Sequence, residues 1–300
     1  MKSYVILNPY ASRWKAGKRR EETEQALKEA GVDYEIVVTD ARGHATELAR
    51  AAIANGYDRI VAAGGDGTIS EVVNGIMLAG LDDDKTPQLG IMPLGTANDL
   101  VINLEMPVDL TDAAKIISNG RSEKIDVCKV NDRYFVNNAG LGLESYISVM
   151  QNNMVSVHGI VRYLLATFKG ISHNPQWEMK MEWDGGEYEG SATLVSIGNG
   201  ELTGGIFFTT PGAKPDSGKL AVTFGHIPTR LRLLRAFPMI LRSGEGNITE
   251  HPAVQAIECT RLKITTSPTT PAHADGEIFE TEITSLEYQI FPGRLPVLMG

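Results

Sequence analysis

From the N-terminus to about residue 125 the chain repeats one pattern four times: a short apolar run, a turn rich in glycine or aspartate, then a helical stretch. YVIL (4–7) closes at Asn8-Pro9 and is followed by the charged stretch KAGKRREETEQALKEA, which stops at Gly31. YEIVVT (34–39) runs through the turn DARGH (40–44) into ATELARAAIANG, with Gly56 as its stop. RIVAAGG precedes ISEVVNGIMLAG, where Ile69, Val72, Val73 and Ile76 fall at helical spacing, and LGIMP (89–93) precedes NDLVINL. A parallel strand pair cannot be closed by a tight turn, so strands separated by helices are expected to run parallel. The alternation predicts a doubly wound, Rossmann-like α/β layer.

After Gly120 the texture changes to short runs separated by turn signals: IDVCKV, DRYFVNNA, WEMKMEW, ATLVSIG, KLAVTFG, AIECTRLKI and TSLEYQIF. These predict an antiparallel, β-sandwich-like second domain. Two helical stretches interrupt it, HGIVRYLLATFKG (158–170) and TRLRLLRAFPMILRSG (229–244). The expected division is 1–125 and 126–300, with the last residues returning to the first domain.

The formal charge of −9 argues against nucleic acid as a whole-protein partner. The start, MKSYVILNPY, has no long apolar stretch of signal-peptide type, and no run of about 18 apolar residues occurs, so a cytoplasmic protein is expected. Cys128 and Cys259 lie in strand-like runs without CxxC spacing and read as reduced core thiols.

GGDGT (64–68) stands at the carboxyl end of a predicted parallel strand, where open α/β sheets bind their ligands. Glycines there let backbone N–H groups approach a phosphate, the following helix adds its positive end, and Thr68 adds a hydroxyl. Asp66 is the anomaly, because a carboxylate repels phosphate unless a cation or hydroxyl donor intervenes. It reads either as a solvated Asp-Gly turn or as a group that orients Mg²⁺-nucleotide or binds a hydroxyl, and the loop's context favours the second. PLGTAND (93–99) repeats the arrangement, with Gly95 and Thr96 at the turn and Asn98 or Asp99 able to cap the next helix.

GGDGT followed by PLGTAND resembles the catalytic domain of the diacylglycerol kinase family, in particular its soluble bacterial lipid-kinase branch, to which sphingosine and ceramide kinases are similar. ILNPYA, the TDARGHA segment, NNAGLG (137–142), SIGNG (196–200) and HADGE (273–277) resemble further motifs of that family in the same order. GGDGT alone is shared with NAD kinases and phosphofructokinases. The resemblance implies ATP-dependent phosphorylation of a lipid hydroxyl. It implies nucleotide contacts at Asn8, Thr39, the run Gly64, Gly65, Asp66, Gly67, Thr68, Ile69, Ser70 and Glu71, and at Gly95 and Thr96. It places the proton acceptor at Glu277, with Asp275 and Asp66 in the catalytic set. From spacing alone, Asp275-Gly276-Glu277 reads as a hairpin turn.

The family also has a structural Mg²⁺ site, which would fall in PGAKPDSGKL (211–220). Here Ser217 replaces the expected acid and Asp216 precedes it. Either Asp216 shifts in, or the Lys214 and Lys219 carbonyls hold a weaker site, or the ion is absent. The remaining alternatives are an NAD kinase and a nucleotide- or lipid-binding regulator without turnover.

A lipid acceptor implies peripheral, transient membrane contact. TRLRLLRAFPMILRSG carries Arg230, Arg232, Arg235 and Arg242 among leucines, and reads either as a basic interfacial helix, kinked or restarted at Pro238, or as a core helix with solvated arginines. His44 and His158 read as loop hydrogen-bonders rather than metal ligands. The sequence leaves a homodimer open.

Overall fold

The computed structural model describes residues 2–11, 16–119, 121–154 and 159–300, so His158 lies outside the described residues. The first part consists of β1 (Ser3–Leu7), α1 (Ala16–Glu29), β2 (Tyr34–Val38), α2 (His44–Ala54), β3 (Arg59–Gly64), α3 (Asp66–Leu78), β4 (Gln88–Pro93), α4 (Asp99–Asn103) and α5 (Leu110–Asn119). The four strands are parallel, in the order β4-β3-β1-β2. Their side chains alternate between two buried faces. Val5, Leu7, Val61 and Ala63 pack with Ala26 and Leu27 of α1 and Ala113, Ala114 and Ile117 of α5. Ile6, Ile60, Ala62 and Ile91 pack with Ala45, Ala49 and Ala52 of α2 and Ile69, Val72, Val73 and Ile76 of α3. Strands sandwiched this way are apolar at nearly every position, which is why they read as unbroken runs rather than alternating ones.

Two boundaries differ from the sequence expectation. Helix α3 starts at Asp66, inside the glycine loop and three residues before the apolar spacing begins. Helix α5 is absent from the sequence reading, although its signal is there: Asp109 Oδ1 accepts from the Thr111 and Asp112 amides, an N-cap ahead of Ala113, Ala114, Ile116 and Ile117.

The second part comprises β5 (Ser122–Val130), β6 (Arg133–Phe135), β7 (Asn138–Gly142), α6 (Leu143–Asn153), α7 (Gly159–His173), β8 (Trp177–Trp183), β9 (Gly186–Ala192) and β10 (Leu194–Gly198). It continues through β11 (Leu202–Thr203), β12 (Phe207–Phe208), β13 (Leu220–Gly225), α8 (Arg230–Ala236), a 3-10 turn (Phe237–Leu241), β14 (Val254–Cys259), β15 (Arg261–Ala274) and β16 (Glu277–Leu298). Pairing here is antiparallel, and the mixed architecture of an α/β layer followed by a β-rich, sandwich-like part is the one expected. The run DRYFVNNA is not one strand but two, because the amides between β6 and β7 turn aside to a carboxylate described below. AIECTRLKI also breaks, at Thr260, whose amide and hydroxyl both donate to Asp184. Helix α6 is a further element that the sequence reading passes over, and α8 gives way to the 3-10 turn at Pro238. Cys128 and Cys259 are free and buried, and burial pushes the Cys259 thiol up to about 12.

Strand β16 joins the halves. It pairs with β15, then with β5, and its end lies parallel to β4 at Val297–Leu89, so one sheet runs from β14 through β15 and β16 to β2. Among the described residues no helix is long and apolar enough to cross a membrane.

Helices α2 and α3 cross closely because Gly75 lacks a side chain; a Cβ there would come within 2.6 Å of the Thr46 carbonyl oxygen. Gly75→Ala sets a helix-propensity gain of about 1 kcal/mol against an overpacking cost of about 1–3 kcal/mol. Because the obstacle is backbone, the steric cost should win. Urea unfolding is expected to show a lower midpoint for Gly75→Ala, and an unchanged or higher one would refute the close crossing.

Candidate active site

The GGDGT and PLGTAND loops meet backbone to backbone. A Cβ on Gly95 would sit 2.6 Å from the Gly65 Cα, and one on Gly65 would sit 2.9 Å from the Gly95 Cα. A Cβ on Gly64 would collide with the Thr68 side chain at 2.3 Å. Three of the glycines are therefore required by packing within the protein. Gly67 differs: the one atom its Cβ would crowd is Glu277 Oε1, at 3.3 Å. Beside Gly67 lies a cavity of about 310 Å³ lined by Asn8, Thr39, Arg42, Gly65, Thr68 and Glu277 among others. Asn8 Nδ2 donates to Thr68 Oγ1 at 2.9 Å, which turns the Thr68 hydrogen away from Asn8.

The rest of the loop run is set to other tasks. Ile69 is fully buried in the core, and Ser70 is buried beside Asp275. Glu71 lines the cavity, but its carboxylate accepts from the Gly43 and Ala45 amides at 2.8 and 3.1 Å, capping α2. These side chains are held by the protein itself, Ile69 in the core, Ser70 beside Asp275 and Glu71 at the start of α2. Thr96 is exposed at the tip of the second loop. His44 is the loop hydrogen-bonder expected, its Nδ1 accepting from the Asp40 amide at 3.0 Å.

Asp66 is not a solvated turn. Its carboxylate reaches away from the 310 Å³ cavity and accepts from the Leu100 amide at 3.4 Å, with the Asp99 and Asn98 amides close by. Asp66 thus caps α4, the task the sequence assigned to Asn98 or Asp99. Asn98 instead sits in the left-handed region at φ 53° and makes no side-chain cap. Asp99 turns to the other half of the chain and accepts from the Gly204 and Gly205 amides, both at 2.7 Å. Asp275 lies at the β15–β16 turn and accepts from the amides of Val136, Asn137 and Asn138 at 2.9–3.3 Å. Three carboxylates thus meet at the seam behind the glycine loops. Burial raises all three above the usual carboxylate range, Asp99 to about 7 with Asp66 adding to the rise, and Asp275 to about 6 against the pull of its amides.

The turn that buries Asp275 is left-handed at both Asp275 (φ 47°) and Gly276 (φ 75°), the geometry of a tight hairpin. It delivers Glu277 over Gly67. There Glu277 Oε2 is held by Arg133 at 2.6 Å and by Arg42 at 3.2 Å. Asn74 of α3 fixes Arg133, because both ends of its side-chain amide bond the Tyr134 backbone and pin β6 to the helix. A second cavity of about 590 Å³ adjoins the first and shares Arg42, Glu71 and Glu277 with it; Asn74, Arg133, Phe279 and Ile283 also line it. The two arginines are absent from the sequence reading. Arg42 stood in view inside TDARGHA, but Arg133 is placed only by the Asn74 clamp.

The segment PGAKPDSGKL does not fit a structural Mg²⁺. Ser217 Oγ donates to the Lys219 carbonyl at 3.2 Å, and the Lys214 carbonyl accepts from the Ser217 amide at 3.2 Å. Asp216 is exposed. Asp126, the buried acid facing the loop, accepts from the amides of Gly218 and Gly293 at 2.6 and 2.8 Å. The loop closes on its own hydrogen bonds, and no cluster of three ligating side chains exists among the described residues.

Two outcomes follow. The folded protein holds protons on Asp99 and Asp275 that the unfolded chain has lost, so stability should fall as pH rises from about 4 to about 7 and level off above. In Asp99→Asn that slope is expected to flatten when Tm is followed across the window; an unchanged slope refutes the burial argument. Treatment with EDTA should shift Tm by less than about 2 °C, because losing even 1 kcal/mol would move a chain of this size by about 2–4 °C.

The chain is similar to known proteins in sequence and fold. Residues 2–130 match the family described as the diacylglycerol kinase catalytic domain, and residues 137–299 match the YegS C-terminal NAD kinase β-sandwich-like domain. A diacylglycerol kinase of Staphylococcus aureus is 30% identical over 274 residues, 91% of this chain and 85% of its own. The crystal structure of a candidate diacylglycerol kinase from Bacillus anthracis superposes with a TM-score of 0.80 at 27% identity, over 100% of this chain and 97% of that one. Another Bacillus anthracis structure of the same description gives 0.78 at 26% identity, with the same coverage. With its two glycine loops at parallel strand ends and a hairpin acid set over them, the chain belongs to the diacylglycerol kinase family of lipid kinases.

Proposed function

We propose that the protein transfers the γ-phosphoryl group of Mg·ATP to the hydroxyl of a membrane lipid, diacylglycerol or a related glycerolipid. The observation that carries this reading is the position of Glu277, which faces the same cavity as the open backbone of Gly67. The phosphates would lie along Gly65–Thr68, with the nucleoside towards the larger cavity. Arg42 and Arg133 would supply positive charge where negative charge builds up on the transferred group. The acceptor oxygen attacks the γ-phosphorus, the bond to the β–γ bridging oxygen breaks, ADP leaves, and the hydroxyl proton passes to Glu277. Mg²⁺ enters with the nucleotide as part of the substrate and neutralises phosphate charge.

The lipid would be reached by transient contact with a bilayer surface. Helix α8 supports this: Leu233 and Ala236 anchor it in the core, while Leu231, Leu234 and the three arginines Arg230, Arg232 and Arg235 are exposed together. The segment is packed on one side and exposes arginines and leucines on the other, which supports the interfacial reading.

Transfer of labelled γ-phosphate to a panel of mixed-micelle lipids and NAD tests the assignment. Label in an organic-extractable product is expected; label in NADP instead would refute it. Glu277→Gln should lower kcat by about 10²–10⁴-fold with the KM for ATP nearly unchanged. Asp66→Asn tests the neighbouring acid: if it, and not Glu277→Gln, removes kcat with the KM for ATP intact, Asp66 is the proton acceptor.

A further inference from the structure

Arg133 owes its place over Glu277 to the strand that carries it rather than to its own side-chain contacts. Its Nη2 bonds Glu277 Oε2 at 2.6 Å, and its Nε is buried without a hydrogen-bond partner. Among the described residues, strand β6 pairs with β5 alone, Arg133 opposite Val130 and Phe135 opposite Cys128. Tyr134 stands between them opposite Lys129, and the alternation of an antiparallel ladder turns its backbone groups to the open edge. There Asn74 meets both groups. Its Nδ2 donates to the Tyr134 carbonyl at 2.8 Å, and its Oδ1 accepts from the Tyr134 amide at 3.0 Å. Nδ2 also donates to the Ser70 carbonyl at 2.8 Å, which locks the side chain to its own helix.

Asn74 follows Gly67 by about two turns of the same helix. One rigid element therefore carries both the backbone proposed to hold phosphate and the clamp on the strand of the cation. On its other side β6 is tied to the strand that bears Glu277. Asn131, in the β5–β6 turn, accepts at Oδ1 from the Glu287 amide of β16 at 2.9 Å, and its own amide donates to the Glu287 carbonyl at 2.9 Å. Arg133 is thus carried between the glycine-loop helix and the strand of Glu277. Asn103 of α4 makes a similar clamp elsewhere, bonding the Leu202 amide and carbonyl at 3.1 and 3.3 Å. Neither Asn103 nor Leu202 lines the cavities beside Glu277.

We infer that Asn74 is a positioning residue for phosphoryl transfer: through Tyr134 it sets Arg133 at the distance from Gly67 where the guanidinium meets both Glu277 and the charge that builds up on the transferred group. The inference rests on the lipid-kinase reading above. Without the clamp, β6 keeps its pairing with β5 and its buried Phe135, so the chain still folds. The Tyr134 edge is released, however, and Arg133 loses its fixed distance from α3. Nucleotide binding changes little, because the backbone of Gly65–Thr68 is untouched. The loss falls on the transition state, where a misplacement of about 1 Å can cost about a hundredfold in rate.

A double-mutant cycle on kcat tests this, run with the acceptor that takes label in the panel assay. Asn74→Ala should lower kcat by about tenfold to a hundredfold, with the KM for ATP within about threefold of the wild type. In an Arg133→Met background the same change should lower kcat by less than about twofold, because the group through which Asn74 acts is gone. Asn103→Ala is the structural control: it should lower Tm, and its effect on kcat should be the same with and without Arg133. Asn74→Ser takes the place of Asn74→Ala if that variant fails to fold. An equal loss of kcat from the Asn74 variant in both backgrounds, or a loss confined to KM, overturns the inference, while transfer to lipid leaves the lipid-kinase reading standing. Label in NADP overturns that reading instead, and the cycle is then read on NAD. If the wild type transfers to neither acceptor, both fall.

Discussion

The site depends on the burial of one carboxylate. Asp275 accepts hydrogen bonds from three consecutive backbone amides, at Val136, Asn137 and Asn138, which would otherwise be orphaned between β6 and β7. Because those amides point at a carboxylate, the chain cannot continue as one strand there. Because the carboxylate is fixed, the β15–β16 hairpin can close in only one orientation. That orientation sets Glu277 above Gly67 and leaves His273, two residues before the turn, beside Glu144. A buried carboxylate is costly, and its raised pKa records that cost. Three amide donors are what make it tolerable at this seam.

The α/β layer was legible because parallel strands buried on both faces leave an apolar run at each strand, and helical spacing marks what lies between. The glycine loop was legible as a loop, but not in the role of each glycine. Composition suggests that all of them clear space for phosphate, whereas Gly64, Gly65 and Gly95 are small because Thr68 and the two loops press against one another. Gly65 and Gly67 both line the cavity, and Gly67 is free of that backbone packing. The same limit applies to Asp66, Glu71 and Asp99. Each reads locally as a ligand or a cap for its own helix, yet each serves a distant partner: α4, α2 and the Gly204–Gly205 turn respectively. A carboxylate's type and position are local properties, but its hydrogen-bond partners are tertiary.

Arg133 shows the same limit from the other side. Nothing near it in sequence marks it, since it sits at the start of a three-residue strand after an Asn-Asp turn. Its place over Glu277 comes from Asn74, 60 residues from Tyr134 in the chain, whose side-chain amide substitutes for a strand partner. The PDSG loop was half legible. The replacement of an acid by Ser217 left three readings open, and the geometry adds what the loop does: the serine hydroxyl bonds the Lys219 carbonyl, and Asp126 collects the amides.

These placements divide the molecule about the glycine loop. On one side the Gly67 backbone, Thr68, Arg42 and Glu277 face the cavities suited to a nucleotide. On the other, Asp66, Asp99 and Asp275 form an acidic seam whose carboxylates accept from backbone amides. Glu277 stands on the cation side, where Arg42 and Arg133 offset its charge, while Asp66, Asp99 and Asp275 are held by backbone amides behind the loops. A phosphotransferase must meet phosphate charge with donors and cations, and a carboxylate beside the phosphates repels them unless cations offset it. Backbone close packing at Gly65 and Gly95 brings the two loops together at the boundary, with the Asn98 side chain beside the contact.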